Sequence, residues 1–270
     1  MISLLLSFTL LAGPAPVDRM YVFGDSYSDS GAGYVDGDGP TAVVYLAERL
    51  GFPLVPATAQ DAAGKSLNFA VSGAQSGSGA GRKVKDAMLG RGMRNQVDDF
   101  VARVKSGSVK FRPETTLFFI AGGLNDRRLP TETTVENLKG EIRSLYEVGA
   151  RRFAVALLPV AIPSFSEVGL RLNPALGAIP AAMATELKGT EFRVSKWGSY
   201  MDEVMRDPAK FGIANTRDHC AGRAIFDENT TPCASPASYF FYHAGHPSTA
   251  VHKIVGAKLY EELSRPSAGR

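Results

Sequence analysis

The sequence predicts an α/β fold, a parallel sheet covered by helices on both faces. Three observations lead there. Short apolar runs alternate with segments whose apolar residues recur every three or four positions, the periods of strand and amphipathic helix. The links between them are short, as in parallel strand–helix–strand units. One run, TTLFFIAGG, is apolar throughout, as a strand covered on both faces should be.

Taken in order, RMYVF (residues 19–23) reads as a short buried strand. TAVVYLAERLG (41–51) reads as a helix with Val44, Leu46, Ala47 and Leu50 inward and Gly51 as its stop. SLNFAV (66–71) is the second strand. NQVDDFVARVKSG sets Val97, Phe100, Val101 and Val104 at helical spacing, and TTLFFIAGG is the third strand. Thr133 and Glu136 form a capping-box pattern for a helix with Val135, Leu138, Ile142 and Leu145 inward and Gly149 at its end. RRFAVALLP (151–159) is the fourth strand. AAMATELKGTEFRVSKWGSYMDEVM reads as mostly helical with a break near Gly189. SYFFY (238–242) is the fifth apolar run. Ser248 then caps a closing helix with Val251, Ile254, Val255 and Leu259 inward.

The chain has 270 residues, of which 44% are hydrophobic, enough to build a full core. Lys and Arg number 30 against 27 Asp and Glu. The net charge of +3 is too small to point to nucleic acid or to an acidic membrane surface. The first residues, MISLLLSFTLLAGPAPVD, hold a mainly apolar stretch of roughly ten residues from Ile2 to Leu11, where a membrane span needs about 20. They read as a signal peptide, residues 1–15, cut after Ala15, although no Lys or Arg precedes the apolar run. The alternatives are a wrongly assigned start and a buried N-terminal segment. Residues 16–270 are then one domain of an exported, secreted or periplasmic protein. Cys220 and Cys233 lie in a stretch rich in turn formers. In an exported chain they most simply pair with each other, the alternative being two unrelated buried thiols. His219 alone is a poor complement for a zinc site.

In parallel sheets ligands bind outside the carboxyl ends of the strands, and the unusual polar residues here come directly after strands. Ser26, in FGDSYSDSG, comes after the first, Gly73 after the second, Asn125 after the third and His246 after the fifth. Acyl transfer from an ester needs a nucleophilic oxygen, a base, donors for the developing oxyanion and a group to orient the base. Ser26 suits the nucleophile and His246 the base. The N–H groups of Ser26 and Gly73 and the side-chain amide of Asn125 suit the oxyanion hole. Asp25 and Asp29 suit bracing of the serine turn through side-chain hydrogen bonds.

With these blocks in this order, FGDSYSDSG, NFAVSGA, GLND at Gly123–Asp126 and HAGHPS, the sequence resembles the GDSL, or SGNH, family of ester hydrolases. DGDGPTAVVYLAERLGFPL, LLPVAIP and a cysteine pair shortly before the histidine block resemble the family's secreted members. The resemblance covers about residues 19–263. It implies a three-layer α/β/α sandwich around a five-stranded parallel sheet of flavodoxin-like type, no metal, no organic cofactor, and an open site with residues 73–82 as a mobile wall. Small-molecule, lipid and acylated-carbohydrate esters all suit such a scaffold; the small net charge and the short apolar stretch are the grounds for expecting no nucleic acid partner and no stable membrane span.

The family's orienting acid stands three residues before the base, and here that position is His243. A neutral imidazole brings no negative charge, so His243 is only a possible third member. The expected acceptor for His246 Nδ1–H is a backbone carbonyl of the FYHAG turn or a bound anion. A carboxylate from elsewhere and neutral His243 are the alternatives. On that reading His246→Ala costs far more than His243→Ala. The departure leaves two rival functions: a degenerate hydrolase that binds an ester or glycan without turning it over, and an acyltransferase using the same site.

Overall fold

A computed structural model describes residues 16–264; the N-terminal segment 1–15 lies outside the described residues. In chain order the elements are β1 (Arg19–Gly24), α1 (Ala42–Leu50), β2 (Leu54–Pro56), β3 (Ser66–Asn68), β4 (Ala80–Val84), β5 (Ala87–Arg91), α2 (Met93–Lys105), β6 (Thr116–Ala121), α3 (Thr131–Glu147), β7 (Arg152–Ala156), α4 (Ser166–Glu186), β8 (Glu191–Ser195), α5 (Trp197–Arg206), β9 (Asn215–His219), β10 (Tyr239–His243), β11 (His246–Pro247) and α6 (Thr249–Ser264), with three short 3-10 turns among them.

The central sheet runs β2-β3-β1-β6-β7-β8, and every pairing in it is parallel. The α/β sandwich expected from the alternation is present, with six strands in place of five. Two of them, β2 and β8, are edge strands that the apolar pattern did not reveal. β8 lies inside the segment read as one interrupted helix; its sequence EFRVS is only partly buried, so charge replaces the apolar run. Conversely, the fifth apolar run, SYFFY, is not in the central sheet. It forms β10 of a small sheet ordered β11-β10-β9.

β1 and β6 lie in register from Arg19↔Thr116 to Gly24↔Ala121 and are buried almost throughout, as central strands must be. An aromatic cluster packs on them: the ring of Tyr21 lies 4.6 Å from that of Phe100, and Phe23, Phe69 and Phe118 complete it. Two helix groups flank the sheet. In one, α1 and α5 pack on α6; in the other, α2 and α4 pack on α3. The α1–α6 crossing is close because Gly256 has no side chain: a Cβ there would lie 2.5 Å from that of Tyr45.

The helix read from Thr133 begins two residues earlier, at Thr131, directly after Pro130, so Thr133 lies within the first turn and is not the cap. Proline supplies the extended entry that a capping threonine would have marked. The loop expected over residues 73–82 ends in strand. Ala80–Val84 pairs with Ala87–Arg91 as an antiparallel hairpin, tied to α2 by the Gly79 N–H on Asn95 Oδ1 (2.8 Å). The cysteines are bridged, Cys220 to Cys233.

Candidate active site

The site grows from the turn after β1. β1 ends at Gly24, where a Cβ would meet the Ala121 carbonyl oxygen at 2.6 Å, so only glycine lets β1 and β6 run this close at their ends. The buried Gln96 of α2 closes that end: its Oε1 accepts the Gly24 N–H and its Nε2 donates to the Gly24 carbonyl. The chain then turns sharply. The Asp25 carbonyl accepts the N–H groups of Ser28 and Asp29, and Asp25 Oδ1 accepts that of Tyr27.

Asp29 joins two turns of the site. Its carboxylate accepts the N–H groups of Gly31, Gly33 and Tyr34 within its own loop, and that of Ser72, beside Gly73, at 2.8 Å. Four donors would hold an exposed carboxylate ionised, yet burial dominates and raises Asp29 to about 6. Asp25 is raised to about 7 by burial, with Asp126 and Asp29 pushing the same way. Both carboxyls are spent on holding the turn, as expected from the sequence.

Ser26 Oγ lies 2.9 Å from His246 Nε2. The His246 ring is fixed on its other edge: Nδ1 lies 3.1 Å from the carbonyl oxygen of Ala244, in the FYHAG turn. An Nδ1–H bound to that carbonyl leaves the Nε2 lone pair for the serine hydroxyl, the tautomer a general base needs. The Tyr27 hydroxyl donates to the neighbouring Gly245 carbonyl at 2.6 Å and ties the histidine turn to the serine turn. Burial pushes His246 below the ordinary imidazole value; Asp36 and the Ala244 carbonyl pull it up, while Arg223 and His243 push it down.

Gly73 lines the same cleft as the serine with φ +78, a left-handed conformation that other residues adopt only with strain. The third group comes from the β6–α3 connection. Asn125 Nδ2 donates to the Ala74 carbonyl at 2.9 Å, and its own backbone carbonyl accepts from Gln75 Nε2. An amide nitrogen carries two hydrogens, so one remains for a ligand. Asp126 anchors the loop beneath, accepting the Ser76 N–H and the Thr134 hydroxyl. Ser26, Gly73, Asn125 and His246, chosen from separate motifs, therefore line one cleft of about 470 Å³, together with Arg82, Leu89, Arg127, Phe165, Arg223 and Phe226.

His243 does not touch the His246 ring through a hydrogen bond. Its Nδ1 lies 2.8 Å from Oδ1 of Asp36, a buried carboxylate that lines the same cleft. Asp36 Oδ2 lies 3.3 Å from His246 Nε2, and an Arg223 amino group lies 3.7 Å from the same oxygen. Asp36 and Arg223 had no assigned role in the sequence. The partners of Asp36 lie 207 and 210 positions away in the chain, by the differences 243 − 36 and 246 − 36, so no local pattern marks it.

A serine hydroxyl aimed at an imidazole nitrogen, at the carboxyl edge of a parallel sheet, is the arrangement of an acyl-transferring hydrolase. The chain belongs to the GDSL-like lipase/acylhydrolase family, whose model matches residues 20–259, and it is a carboxylic ester hydrolase. A GDSL esterase/lipase of Arabidopsis thaliana is 25% identical, over 93% of this chain and 83% of that protein. A GDSL lipase of Tanacetum cinerariifolium is 23% identical, over 85% and 73%. The thermolabile hemolysin of Vibrio parahaemolyticus is 26% identical, over 92% of this chain and 64% of that protein. Among solved structures, a psychrotrophic esterase of Pseudoalteromonas sp. superposes with a TM-score of 0.48 at 12% identity, covering 91% of this chain and 96% of that one. An acetylxylan esterase of Geobacillus stearothermophilus, solved as a catalytic mutant, superposes at 0.47 with 15% identity, covering 95% and 100%.

Proposed function

We propose that residues 16–270 form the catalytic domain of an exported serine ester hydrolase working through an acyl-enzyme on Ser26. The observation that carries the reading is the 2.9 Å contact between Ser26 Oγ and His246 Nε2, in a ring whose Nδ1 faces a carbonyl. His246 Nε2 takes the hydroxyl proton as Oγ bonds the ester carbonyl carbon. The carbonyl π electrons move onto oxygen, where the N–H groups of Ser26 and Gly73 and the Asn125 amide receive the charge. The tetrahedral adduct collapses, the ester C–O bond breaks, and Nε2–H protonates the departing alkoxide. Water then repeats the sequence on the acyl-enzyme: its proton passes to His246 and returns to Ser26 as the acid leaves. These steps use no metal or organic cofactor.

The cleft wall suits an ester that carries an apolar group. Leu89, Phe165, Ile225 and Phe226 offer apolar surface, and Arg82 and Arg127 offer positive charge. The Cys220–Cys233 bridge supports an oxidising compartment outside the cytoplasm. Among the described residues no helix is long and apolar enough to cross a membrane.

A fluorophosphonate probe should label Ser26 and no other residue. Ser26→Ala should lower kcat on the order of a thousandfold or more on the best ester from a screen of graded p-nitrophenyl esters, acetylated xylan and a phospholipid. Undiminished turnover by Ser26→Ala removes the assignment. A wild-type protein that binds but turns over none of these esters is a binding module instead.

A further inference from the structure

The loop between β1 and α1 carries Asp36 into the cleft, where its side chain is only 5% exposed. His246 Nε2 thereby faces two oxygens, Ser26 Oγ at 2.9 Å and Asp36 Oδ2 at 3.3 Å. A neutral ring has a lone pair at Nε2, and a lone pair gains nothing from a carboxylate beside it. Once the ring has taken the serine proton, Nε2–H points at Ser26 Oγ and the positive charge of the ring lies at ion-pair distance from that carboxylate. The interaction is therefore strong only in the state that forms as Ser26 attacks, which is the condition for lowering a barrier and not merely tightening binding.

We propose that Asp36 supplies the negative charge that stabilises the His246 imidazolium, entering at Nε2 from a different element and so replacing the carboxylate absent at position 243. Asp36 touches the reacting nitrogen and is catalytic. His243 is a positioning residue: its Nδ1–H holds Oδ1 at 2.8 Å, and the ring of Tyr34 lies parallel to its own, 6.3 Å away. Arg223 steadies Oδ2 from 3.7 Å and is itself shared with Glu228 at 3.5 Å. The proton account is simple. The serine proton moves to Nε2 and then to the leaving alkoxide; Asp36 gains and loses none.

The remaining charged or titratable groups near the pair do not supply the missing charge. Arg223 and His243 oppose a cation at His246. Tyr27, whose ring lies 5.6 Å from that of His246, is pushed well above its ordinary value by burial and stays neutral. His252, on the far side of Tyr27, is driven down to about 3 by burial and is neutral too. Asp36 is the carboxylate within contact of the ring among the described residues.

The proposal rests on the ester-hydrolase reading for one of its two readouts only. In ¹⁵N-histidine spectra, Asp36→Asn should move the His246 titration down by about one pH unit, because an adjacent anion favours the charged ring. The ascending limb of kcat/KM should move to lower pH by the same amount, and kcat should fall about a hundredfold with KM changed less than threefold. A merely structural role would not move the limb. His243→Ala should cost less than about tenfold alone and nothing further in the Asp36→Asn background, since it acts through Asp36. An unmoved His246 titration with kcat within threefold of wild type overturns the proposal. Should Asp36→Asn fail to fold, the wild-type spectrum decides: His243 must carry a proton on Nδ1, and a bare Nδ1 there overturns it. If the wild type turns over no ester, the spectra still decide the pairing, and only the reading of function fails.

Discussion

Asn125 is half-buried in the β6–α3 connection and is held twice, through its own amide on the Ala74 carbonyl and through Gln75 on its backbone carbonyl. A side chain fixed in that way loses little freedom when an oxyanion forms, which is what makes a donor effective in the transition state. On the proposed mechanism Asn125→Ala should lower kcat by about a hundredfold with little change in KM, because the charge an oxyanion donor receives is absent in the bound ester. A raised KM with unchanged kcat would make Asn125 a substrate contact instead. Ser26, Gly73, Asn125 and His246 were legible residue by residue because each sits in a short motif directly after an apolar run. Asp36 was not, since an aspartate in a DGDG turn is an ordinary loop residue until the fold sets it against His246.

At the scale of elements, α3 carries an electrostatic conflict. Glu141 lies fully buried on its inner side between Leu138, Ile142 and Leu145, and neither carboxylate oxygen has a hydrogen-bond partner among the described residues. Burial raises its proton affinity well above the usual carboxylate value, Arg94 opposing and Asp126 and Asp98 adding to it. A folded-state value above the unfolded one means that the fold binds the proton more tightly. Glu141 therefore favours the fold fully below its ordinary value of 4.5 and loses that contribution as pH rises through the raised one. Glu141→Gln should stabilise the protein at pH 8, where the wild-type fold must either hold the proton or bury the charge. The gain should vanish near pH 4, and denaturant melts at the two pH values check it. Equal stability of the two proteins at pH 8 would mean that burial does not oppose ionisation of Glu141. Elements with a strong apolar period, such as α2 and β6, were legible. The N-terminal part of α4 was not, because Pro174 and Pro180 lie inside it and proline ordinarily ends a helix. β8 was hidden because an edge strand can keep Glu191 and Arg193 paired at its surface.

Across the whole molecule, the bridge from Cys220 to Cys233 closes a segment of 14 residues, counting both ends (233 − 220 + 1). That segment docks on β10, with the N–H groups of Cys220 and Ala221 on the Tyr242 carbonyl, and it brings Arg223, Ile225 and Phe226 to the cleft wall. A loop of this size contributes about 3 kcal/mol in the chain-entropy account. Reduction should therefore lower Tm by about 6–12 °C for a chain of this length. Differential scanning calorimetry with and without reductant measures this. An unchanged Tm would show that the backbone contacts to β10 hold the segment without the bridge.

The sequence by itself determined the α/β class, the four inner strands of the central sheet, the serine, glycine, asparagine and histidine of the cleft, and the cysteines that pair. These are local or periodic features: a strand, a sharp turn or an amphipathic helix is written in a dozen neighbouring residues. Ligand binding at the carboxyl edge of a parallel sheet then gathers the polar residues that stand just after its strands. The tertiary structure decided the rest. It placed β2 and β8 at the edges, moved SYFFY into a second sheet, and set Asp36 and Arg223 beside His246. Edge strands are half solvated and need no apolar run, and a charge pair spanning some two hundred residues leaves no periodicity. Such features exist only once the core has folded and brought distant loops to one end of the sheet.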